Sequence, residues 1–308
     1  MTKFAAFFRR VPGSLLASGL ILTLVACGEG EPAGEEGPDL PPSAPAAGFE
    51  APSFQEAQGE GMAPLIVHYV PSSGFAYEGP DGELTGVTVE LLREFGRYVE
   101  ESHGLDVTLD FVDEERWAVF YDRIRDSRGG VFGIGNVTIT EERREELAFS
   151  PPYLNNVATL MTHEEVPELA SLDEVPEAFG HLTGLLYPGT LHEDRMQALR
   201  EEIHPGLETI PIESNDELVS MVASGEGYFG FIDIYNYWRA VEEGLPLRRH
   251  AVADDASEQF GVIMPRDSDW APVMEEFFEA REGVSGTEWY DALLREHLGS
   301  ELAGLLQG

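Results

Sequence analysis

The sequence predicts an α/β protein with two lobes. From residue 65 onward, stretches typical of strands alternate with stretches typical of helices, which predicts a mostly parallel sheet flanked by helices. A second series of such elements starts after Pro151-Pro152-Tyr153, and no short repeat of fixed period is present. We therefore expect the folded part to span residues 63–302, a length that suits one or two domains.

The first series opens with an apolar strand over residues 65–70 and a turn at residues 80–82. A helix follows, with a glycine stop at Gly104, because its apolar residues recur at helical spacing. We next expect a half-buried strand over 107–111, a helix over 117–124 and a strand over 131–137, followed by a helix that begins near Thr140. The apolar residues of the first helix are Val87, Leu91, Leu92, Phe95 and Val99.

The second series contains four predicted strands, over residues 157–162, 181–186, 228–232 and 260–264. Between them, Thr190 and Glu193 have the spacing of a capping box, in which each side chain bonds the backbone N–H of the other residue. Ser214 and Glu217 repeat this spacing ahead of an apolar helix face. Two further helical stretches close the chain.

The first 27 residues have the pattern of a bacterial export signal. A basic start precedes an apolar run over about residues 15–25, which is short of the ~20 residues that cross a membrane. The sequence Leu24-Val25-Ala26-Cys27 is typical of a lipobox, so we predict cleavage after residue 26 and a lipid anchor at Cys27. The alternative is that Cys27 is a small buried residue. The lipobox predicts an extracytoplasmic protein held at a membrane.

Residues 28–62 are rich in Gly, Pro, Glu, Ala and Ser. This composition predicts a flexible tether with a reach of about 30 Å that contributes nothing to the core. With Cys27 as the single cysteine, the chain can form no internal disulfide. The 57 acidic side chains outnumber the 19 basic ones, so nucleic acid and anionic lipid should be repelled. A high-salt habitat or a GC-rich genome would explain this excess.

The stretch over residues 138–153 is the most specific motif. It reads T-I-T-E-E-R and, from Leu147, L-A-F-S-P-P-Y, and it resembles the signature of the family 3 extracellular solute-binding proteins, the polar amino-acid receptors of ABC transporters. Shorter similarities follow in the family's order from about residue 64 to residue 300. They lie at residues 75–77, 81–82, 86–91, 171–175, 189–190, 260–262, 286–287 and 298–299.

The resemblance implies a periplasmic binding protein fold of type 2, with two mixed sheets flanked by helices and joined by a hinge of two strands. One lobe would hold residues 64–154 and 258–302, and the other would hold residues 155–257. Such proteins close on their ligand by hinge motion. The implied partners are a small carboxylate-bearing ligand, with an amino acid favoured, and an ABC transporter permease. The protein would act as a monomer without cofactor or metal.

The resemblance also implies a carboxylate site on the first lobe. Arg143 matches the family's carboxylate-binding arginine, and a guanidinium offers two parallel N–H donors to a carboxylate. Thr138 and Asn136 would flank the same oxygen atoms. Without the resemblance, Arg143 is equally compatible with a surface ion pair to Glu146, and the two polar residues with an ordinary strand end.

In the second lobe, Asp233 matches the aspartate that receives the α-ammonium group. Its alternative role is to cap the helix that follows. Gly189 and Thr190 would present a helix start to the ligand carboxylate. Leu191 stands where many relatives carry a hydroxyl residue, so it can offer only its backbone N–H.

Three aromatic residues are candidates to pack on the ligand side chain, although their spacing fits core positions equally well. They are Phe75, Trp117 and Tyr153. The chain departs from the family at Thr88, where an acidic residue is frequent, and at Ser72, where an aromatic is frequent. These departures bear on the identity of the ligand.

Other functions fit the sequence poorly. Gly133-Ile134-Gly135 lacks the third glycine of a dinucleotide site, and Glu141 and Glu142 would repel a pyrophosphate. Neither the HExxH pattern of a zinc enzyme nor a Gly-x-Ser-x-Gly elbow occurs. Two alternatives on the same fold remain open, a sensory receptor for a membrane signalling partner and an enzyme of the cyclohexadienyl dehydratase type.

Overall fold

A computed structural model describes residues 48–280, 284 and 286–306 of the chain. The predicted signal peptide, Cys27 and the first part of the predicted tether lie outside these residues. Within the described part, no helix combines the length and the apolar character needed to span a membrane.

Helices and strands alternate along most of the chain, as predicted. The helices are α1 (Phe54–Glu60), α2 (Val87–His103), α3 (Trp117–Arg125), α4 (Glu141–Glu146), α5 (Val175–Ala178), α6 (Leu191–Glu202), α7 (Asn215–Ala223), α8 (Ile234–Glu242), α9 (Ala271–Ala280), α10 (Glu288–Leu298) and α11 (Ser300–Leu306). The strands are β1 (Met62–Tyr69), β2 (Tyr77–Glu78), β3 (Leu84–Thr85), β4 (Asp106–Asp113), β5 (Val131–Thr138), β6 (Leu147–Phe149), β7 (Leu154–His163), β8 (Thr183–Leu186), β9 (Thr209–Pro211), β10 (Tyr228–Asp233) and β11 (Leu247–Pro265).

The main sheet has the strand order β4-β1-β5-β11-β7-β10-β8-β9, with β6 paired to β11. At one end β4, β1 and β5 are parallel, and at the other β10, β8 and β9 are parallel. Between them, β11 and β7 run antiparallel to their neighbours. The sheet is therefore mixed and open, which confirms the predicted α/β class.

The two parallel groups are joined through two strands, as the resemblance implied. Strand β7 pairs with β10, and the 19-residue strand β11 pairs with β5 and β6 as well as with β7. Its pairing with β7 shifts register between His250 and Asp255 and between Asp255 and Glu258. Strands β11 and β7 together thus join both parallel groups into a continuous sheet. The predicted lobe boundaries fall inside β7 and β11, and they stay a prediction.

Apolar packing follows the predicted helix faces. Leu91, Leu92, Phe95 and Val99 of α2 are fully buried, in the cluster that also holds Trp270. Gly104 ends α2 in the left-handed conformation, with φ +68°, and donates its N–H to the Glu100 carbonyl. The glycine stop is therefore confirmed.

The segment from residue 48 to residue 60 is folded, which corrects the prediction of a tether up to residue 62. Ser53 and Glu56 form a capping box that starts α1, and Ala57 is fully buried. The Phe54 ring packs edge-on against Trp270 at 5.0 Å, and Trp270 Nε1 donates to the Pro52 carbonyl at 3.0 Å. The prediction relied on the average composition of residues 28–62. It therefore overlooked the few apolar residues that attach this segment to the core.

Helix caps near the second parallel group are only partly as predicted. Ser214 Oγ accepts from the Glu217 N–H at 3.1 Å, but Glu217 bonds the backbone of Glu213 instead of Ser214. Thr190 makes no side-chain cap at all. Its hydroxyl donates instead to the Tyr187 carbonyl at 2.7 Å, so the predicted capping box with Glu193 does not form.

Candidate functional site

A cleft opens where β5 and β10 end and where α3, α6, α7 and α8 begin. Seven of the ten predicted ligand-binding residues line it, namely Trp117, Asn136, Thr138, Arg143, Thr190, Leu191 and Asp233. The other lining residues are Val70, Pro71, Ser72, Gly135, Tyr187, His192, Asn215, Tyr235 and Glu258. Phe75, Tyr153 and Gly189 lie outside this lining.

Arg143 is held by neutral groups. The N-cap Thr140 accepts its backbone N–H at 3.1 Å, and its Nη1 donates to the Thr138 carbonyl at 3.1 Å. Its guanidinium carbon lies 5.0 Å from the Trp117 ring centre and 5.8 Å from the Tyr121 ring centre. Burial lowers the pKa of Arg143 below its ordinary value, yet the group stays charged at neutral pH.

No carboxylate among the described residues forms an ion pair with Arg143. The predicted alternative, a pair with Glu146, is not formed, because Glu146 accepts instead from the Tyr121 hydroxyl at 3.1 Å. Arg143 therefore presents a half-buried cation to the cleft with N–H groups that no described acceptor uses.

Asn136 holds the end of β5 in an uncommon conformation. Its φ of +52° lies in the left-handed region, which asparagine tolerates better than most residues. Its Nδ2 donates to the Tyr235 hydroxyl at 3.0 Å, and its Oδ1 accepts from the Tyr153 hydroxyl at 2.9 Å. The Asn136 amide is thus committed to these two tyrosines, and it positions the cleft wall through them.

Five side chains form a closed ring of hydrogen bonds and close polar contacts beside the cleft, which we call the polar ring. They are Asn156, His192, Arg195, Asp233 and Glu258. Asn156 Nδ2 donates to Asp233 Oδ1 at 2.5 Å and to Glu258 Oε2 at 2.7 Å. Arg195 Nη2 donates to Glu258 Oε1, and Arg195 Nη1 lies 3.5 Å from His192 Nδ1. His192 Nε2 closes the ring 3.3 Å from Asp233 Oδ1.

The contacts of the polar ring determine the hydrogen-bond roles and the charges of its members. Arginine only donates hydrogen bonds, so His192 Nδ1 accepts and His192 Nε2 carries the proton that faces Asp233. Burial acts against the charge of Arg195, but the Glu258 and Asp255 carboxylates together outweigh it and raise the pKa of Arg195. Both carboxylates of the ring are buried, at 9% exposure for Asp233 and 5% for Glu258.

Thr138 links the two sides of the cleft. Its carbonyl accepts from Arg143, whereas its hydroxyl donates to Glu258 Oε2 at 3.3 Å. A hydroxyl has a single proton to donate. In this state Thr138 Oγ1 is therefore an acceptor for any further group in the cleft.

Gly189 and Asp233 adopt their predicted places next to helix starts. Gly189 has φ +79°, and a Cβ there would lie 3.4 Å from Ala118 Cβ and 3.6 Å from the Trp117 ring. The Gly189 N–H donates to Glu193 Oε2 at 2.8 Å. Asp233 makes no side-chain bond to the start of α8. The alternative role of Asp233 as a helix cap is therefore not observed.

Phe75 and Tyr153 are core residues behind the cleft wall. Phe75 is 1% exposed and packs edge-on against Tyr235 at 4.7 Å. Tyr153 is equally buried and reaches the cleft only through its hydroxyl bond to Asn136. Of the three aromatic candidates, only Trp117 lines the cleft.

The sequence analysis missed the rest of the polar ring. Asn156 and Glu258 are paired across β7 and β11, which brings two distant polar residues together. His192 and Arg195 stand three residues apart on α6, a spacing that gives two polar side chains one helix face. The local sequence patterns of these four residues resemble those of solvent-exposed residues. Only their contacts in the folded chain, such as the pairing of β7 with β11, identify them as part of the site.

The chain is similar to a known protein family and to several solved structures. A family model described as bacterial extracellular solute-binding proteins, family 3, matches residues 65–280. The chain belongs to this family. A comparison with curated proteins gives no significant match. Among solved structures, the P235GK mutant of ArgBP from T. maritima is similar, with 18% identity and a TM-score of 0.61 over 79% of this chain and 97% of that one.

Two further structures show the same fold. The ancestral amino acid-binding protein AncCDT-1, a precursor of cyclohexadienyl dehydratase, is 18% identical, with a TM-score of 0.62 over 79% of this chain and 98% of that one. A structure from work on glutathione import through GshT and the cystine ABC importer TcyBC of Streptococcus mutans is 16% identical. Its TM-score is 0.63, over 77% of this chain and 95% of that one.

Proposed function

We propose that the chain binds a free amino acid in this cleft, with the ligand carboxylate on Arg143 and the ligand ammonium group on Asp233. The observation that carries the proposal is Arg143, a cation in the cleft that no described carboxylate neutralises. An unpaired guanidinium with free donors fits a carboxylate from outside the chain. Asp233 lines the same cleft, and an ionised carboxylate accepts from an ammonium group.

Thr138 supports the same orientation of the ligand. Because its hydroxyl proton points to Glu258, its oxygen can accept from a ligand ammonium group while its carbonyl holds Arg143 in place.

Closure of the two predicted lobes would complete the site. A Cβ at Gly189 would lie at ordinary van der Waals distance from Ala118 at the start of α3, and the left-handed φ of Gly189 disfavours any larger residue there. A ligand that contacts Arg143 and Asp233 together would favour the closed state, since those contacts are lost on opening. Gly189, Thr190 and Leu191 would then border the ligand from the second lobe.

We further propose that the protein acts outside the cytoplasm as a lipoprotein anchored at Cys27 and hands its ligand to an ABC transporter permease. The lipobox motif supports the anchor, and the family supports the location and the transport role. The chain would act as a monomer and without a cofactor. Within the described residues, no group of histidine, cysteine and acidic side chains is arranged to hold a metal ion.

Binding without turnover is the function that the site supports best. A general acid must present a proton to its substrate. Glu258, however, accepts hydrogen bonds on both oxygens, from Arg195, Asn156 and Thr138, as an ionised carboxylate does. This supports a binding role instead of the dehydratase alternative.

The test is a calorimetric titration of the protein with the common amino acids, together with the variants Arg143→Ala and Arg144→Ala. Arg144 is the matched control because it lies one residue further along α4 and stacks on Phe149, away from the cleft. Arg143→Ala should weaken binding by about 2 to 5 kcal/mol, the range for removing one partner of a buried charged hydrogen bond. Equal affinities for both variants, or turnover of prephenate or arogenate, would contradict the proposal.

A further inference from the structure

Two buried carboxylates line the cleft, those of Asp233 and Glu258, and they differ in how many oxygen atoms remain free. Glu258 accepts hydrogen bonds on both of its oxygens. The described polar contacts of the Asp233 carboxylate end on Oδ1, which lies 2.5 Å from Asn156 Nδ2 and 3.3 Å from His192 Nε2. Asp233 Oδ2 is therefore the carboxylate oxygen of the cleft lining that is left for a ligand.

Asn156 is the residue that both carboxylates share. It lies on β7 directly opposite Glu258 on β11 and is 1% exposed. Its Nδ2 donates one hydrogen to Asp233 Oδ1 at 2.5 Å and the other to Glu258 Oε2 at 2.7 Å. The two carboxylate oxygens therefore lie within about 5 Å of each other, a separation at which like charges repel strongly where water is excluded.

The orientation of the Asn156 amide follows from these two bonds. Its Oδ1 is shielded from solvent and accepts from no donor in the described part of the chain. Turning the amide over would place this oxygen against two carboxylates, so the amide has one favourable orientation. Both of its hydrogens are thus used to hold Asp233 and Glu258 side by side.

The donors to the two carboxylates differ in charge. The Arg195 guanidinium neutralises Glu258, whereas no described arginine pairs with Asp233. Asn156 holds Asp233 without a charge of its own, so the negative charge of Asp233 remains available to an ammonium group. A cationic side chain in the place of Asn156 would compete with the ligand for that charge.

Other charged or titratable groups lie around the two carboxylates. They are Arg143 on α4, His192, Asp194 and Arg195 on α6, Tyr235 on α8, Asp255 on β11 and Tyr153 ahead of β7. None of these groups bonds both Asp233 and Glu258 in the described structure. Asn156 is thus the described residue that joins the two carboxylates.

We infer that Asn156 is a positioning residue for recognition of the ligand ammonium group. It holds the Asp233 carboxylate by Oδ1, with Oδ2 free, beside a second carboxylate that would otherwise repel it. Without Asn156 the two carboxylates would turn apart or take up a proton, and either change weakens the bond to an ammonium group. The inference rests on the proposed function, which places the ammonium group on Asp233.

Calorimetry on Asn156→Leu tests the inference, because leucine fills a similar volume and donates no hydrogen bond. The probes are the common amino acid that the parent binds tightest and the same compound without its α-amino group, such as glutamine with glutaramate or arginine with δ-guanidinovalerate. Asn156→Leu should reduce the preference for the amino acid by about tenfold or more, while the affinity for the deaminated compound changes by less than about threefold.

Asn155→Leu is the matched control, and it should keep the preference of the parent. It makes the same substitution at the neighbouring residue of β7, where the Asn155 amide bonds Gln259 at an exposed position. A preference that persists in Asn156→Leu, or one that is lost equally in Asn155→Leu, would overturn the inference.

A second substitution separates positioning from a general loss of structure. Glu258→Gln removes the neighbouring charge, and the new amide can donate to Asp233 in the place of Asn156. The double variant Asn156→Leu/Glu258→Gln should therefore recover the preference to within about threefold of the parent, and a double variant without recovery would contradict the inference. If Asn156→Leu does not fold, Asn156→Thr takes its place, because threonine has one hydrogen to donate and can bond only one of the two carboxylates.

The inference and the proposed function fail in different ways. If the parent binds an amino acid through Arg143 and prefers it to the deaminated compound, but Asn156→Leu keeps that preference, only the inference is wrong. If no amino acid binds, or the parent shows no such preference, the proposed function is wrong and the inference falls with it.

Discussion

Arg143 and Arg195 are both arginines of the cleft region, and they differ in what faces them. Arg195 contacts two carboxylates, Glu258 and Asp255, and lies within reach of His192. Arg143 contacts a backbone carbonyl and two aromatic faces, and no described carboxylate pairs with it. One cation is therefore satisfied inside the protein, and the other is not.

This difference separates structural polar groups from functional ones. A buried charge that is paired and hydrogen-bonded holds its surroundings in place, whereas an unpaired one calls for an explanation such as a ligand. The polar ring belongs to the first kind and shapes the acidic side of the cleft. Under the proposed function, Arg143 belongs to the second kind.

Removing Arg195 should have the largest effect on stability. Arg195→Met leaves Glu258 buried without its counter-ion, and it should lower the free energy of unfolding by about 3 to 5 kcal/mol. Urea unfolding at pH 7 measures this change. Arg200→Met on the same helix is the control, because no ion pair of Arg200 is found in the described part of the chain. Equal losses for both variants would show that the polar ring adds nothing.

Two buried histidines extend the comparison beyond the cleft. His250 bonds the Thr162 hydroxyl at 2.8 Å and the Leu169 N–H at 3.1 Å, whereas neither ring nitrogen of His68 has a partner in the described structure. Burial lowers the pKa of each to about 4. Both histidines should therefore oppose protonation in the folded state.

These histidines predict a loss of stability in acid. As the pH falls below 6.5, both histidines become protonated in the unfolded chain, whereas in the folded chain they stay neutral until about pH 4. The free energy of unfolding therefore decreases over this range. Each histidine should account for about 1 to 2 kcal/mol after allowance for solvent screening. Urea titrations at pH 7, 5.5 and 4.5 measure this slope.

Substitution by leucine separates the two histidines. His68→Leu should weaken the dependence of the free energy of unfolding on pH. At pH 7 it should leave that free energy unchanged or raise it, because no hydrogen bond is lost. His250→Leu should flatten the slope but destabilise the protein at pH 7, since the Leu169 N–H loses its acceptor. If the two variants behave alike, the distinction between partnered and unpartnered groups is wrong.

The smallest expected effect on stability is that of Arg143. Arg143→Met leaves no carboxylate unpaired, so the free energy of unfolding should change by less than about 1 kcal/mol while amino-acid binding is lost. Chemical unfolding and calorimetry on the same preparation give both values. A loss of stability as large as that of Arg195→Met would mean that Arg143 is a structural residue.

The fold was largely predictable because helical and strand periodicities are local. The bounds of α2, α3 and β5 agree with the local patterns, and the helix predicted to begin near Thr140 is α4. The segment at residues 48–60 was missed because a few apolar residues, such as Phe54 and Ala57, lie in a stretch of disordered composition. The contacts of Phe54 and Pro52 with Trp270 span more than 200 residues of sequence, which no local pattern reveals.

The predicted residues that line the cleft came from the family resemblance, whereas most members of the polar ring did not. Arg143, Thr138 and Asp233 line the cleft, but Glu258 and Asn156 come together only through the pairing of β7 with β11. The partner of the Thr138 hydroxyl follows from that pairing too. Hydrogen-bond direction depends on such long-range contacts, which no local sequence pattern reveals.

The bridging of Arg143 and Asp233 by one zwitterionic ligand is the central claim, and Asp233→Asn tests it most directly. The amide oxygen that this substitution introduces can still accept from Asn156 and His192, so the polar ring should persist. Calorimetry would compare the tightest amino acid with its deaminated analogue, on the parent protein and on the variant. We predict that the parent prefers the amino acid by at least about tenfold and that Asp233→Asn loses this preference while it still binds the carboxylate. An undiminished preference in Asp233→Asn would contradict the account.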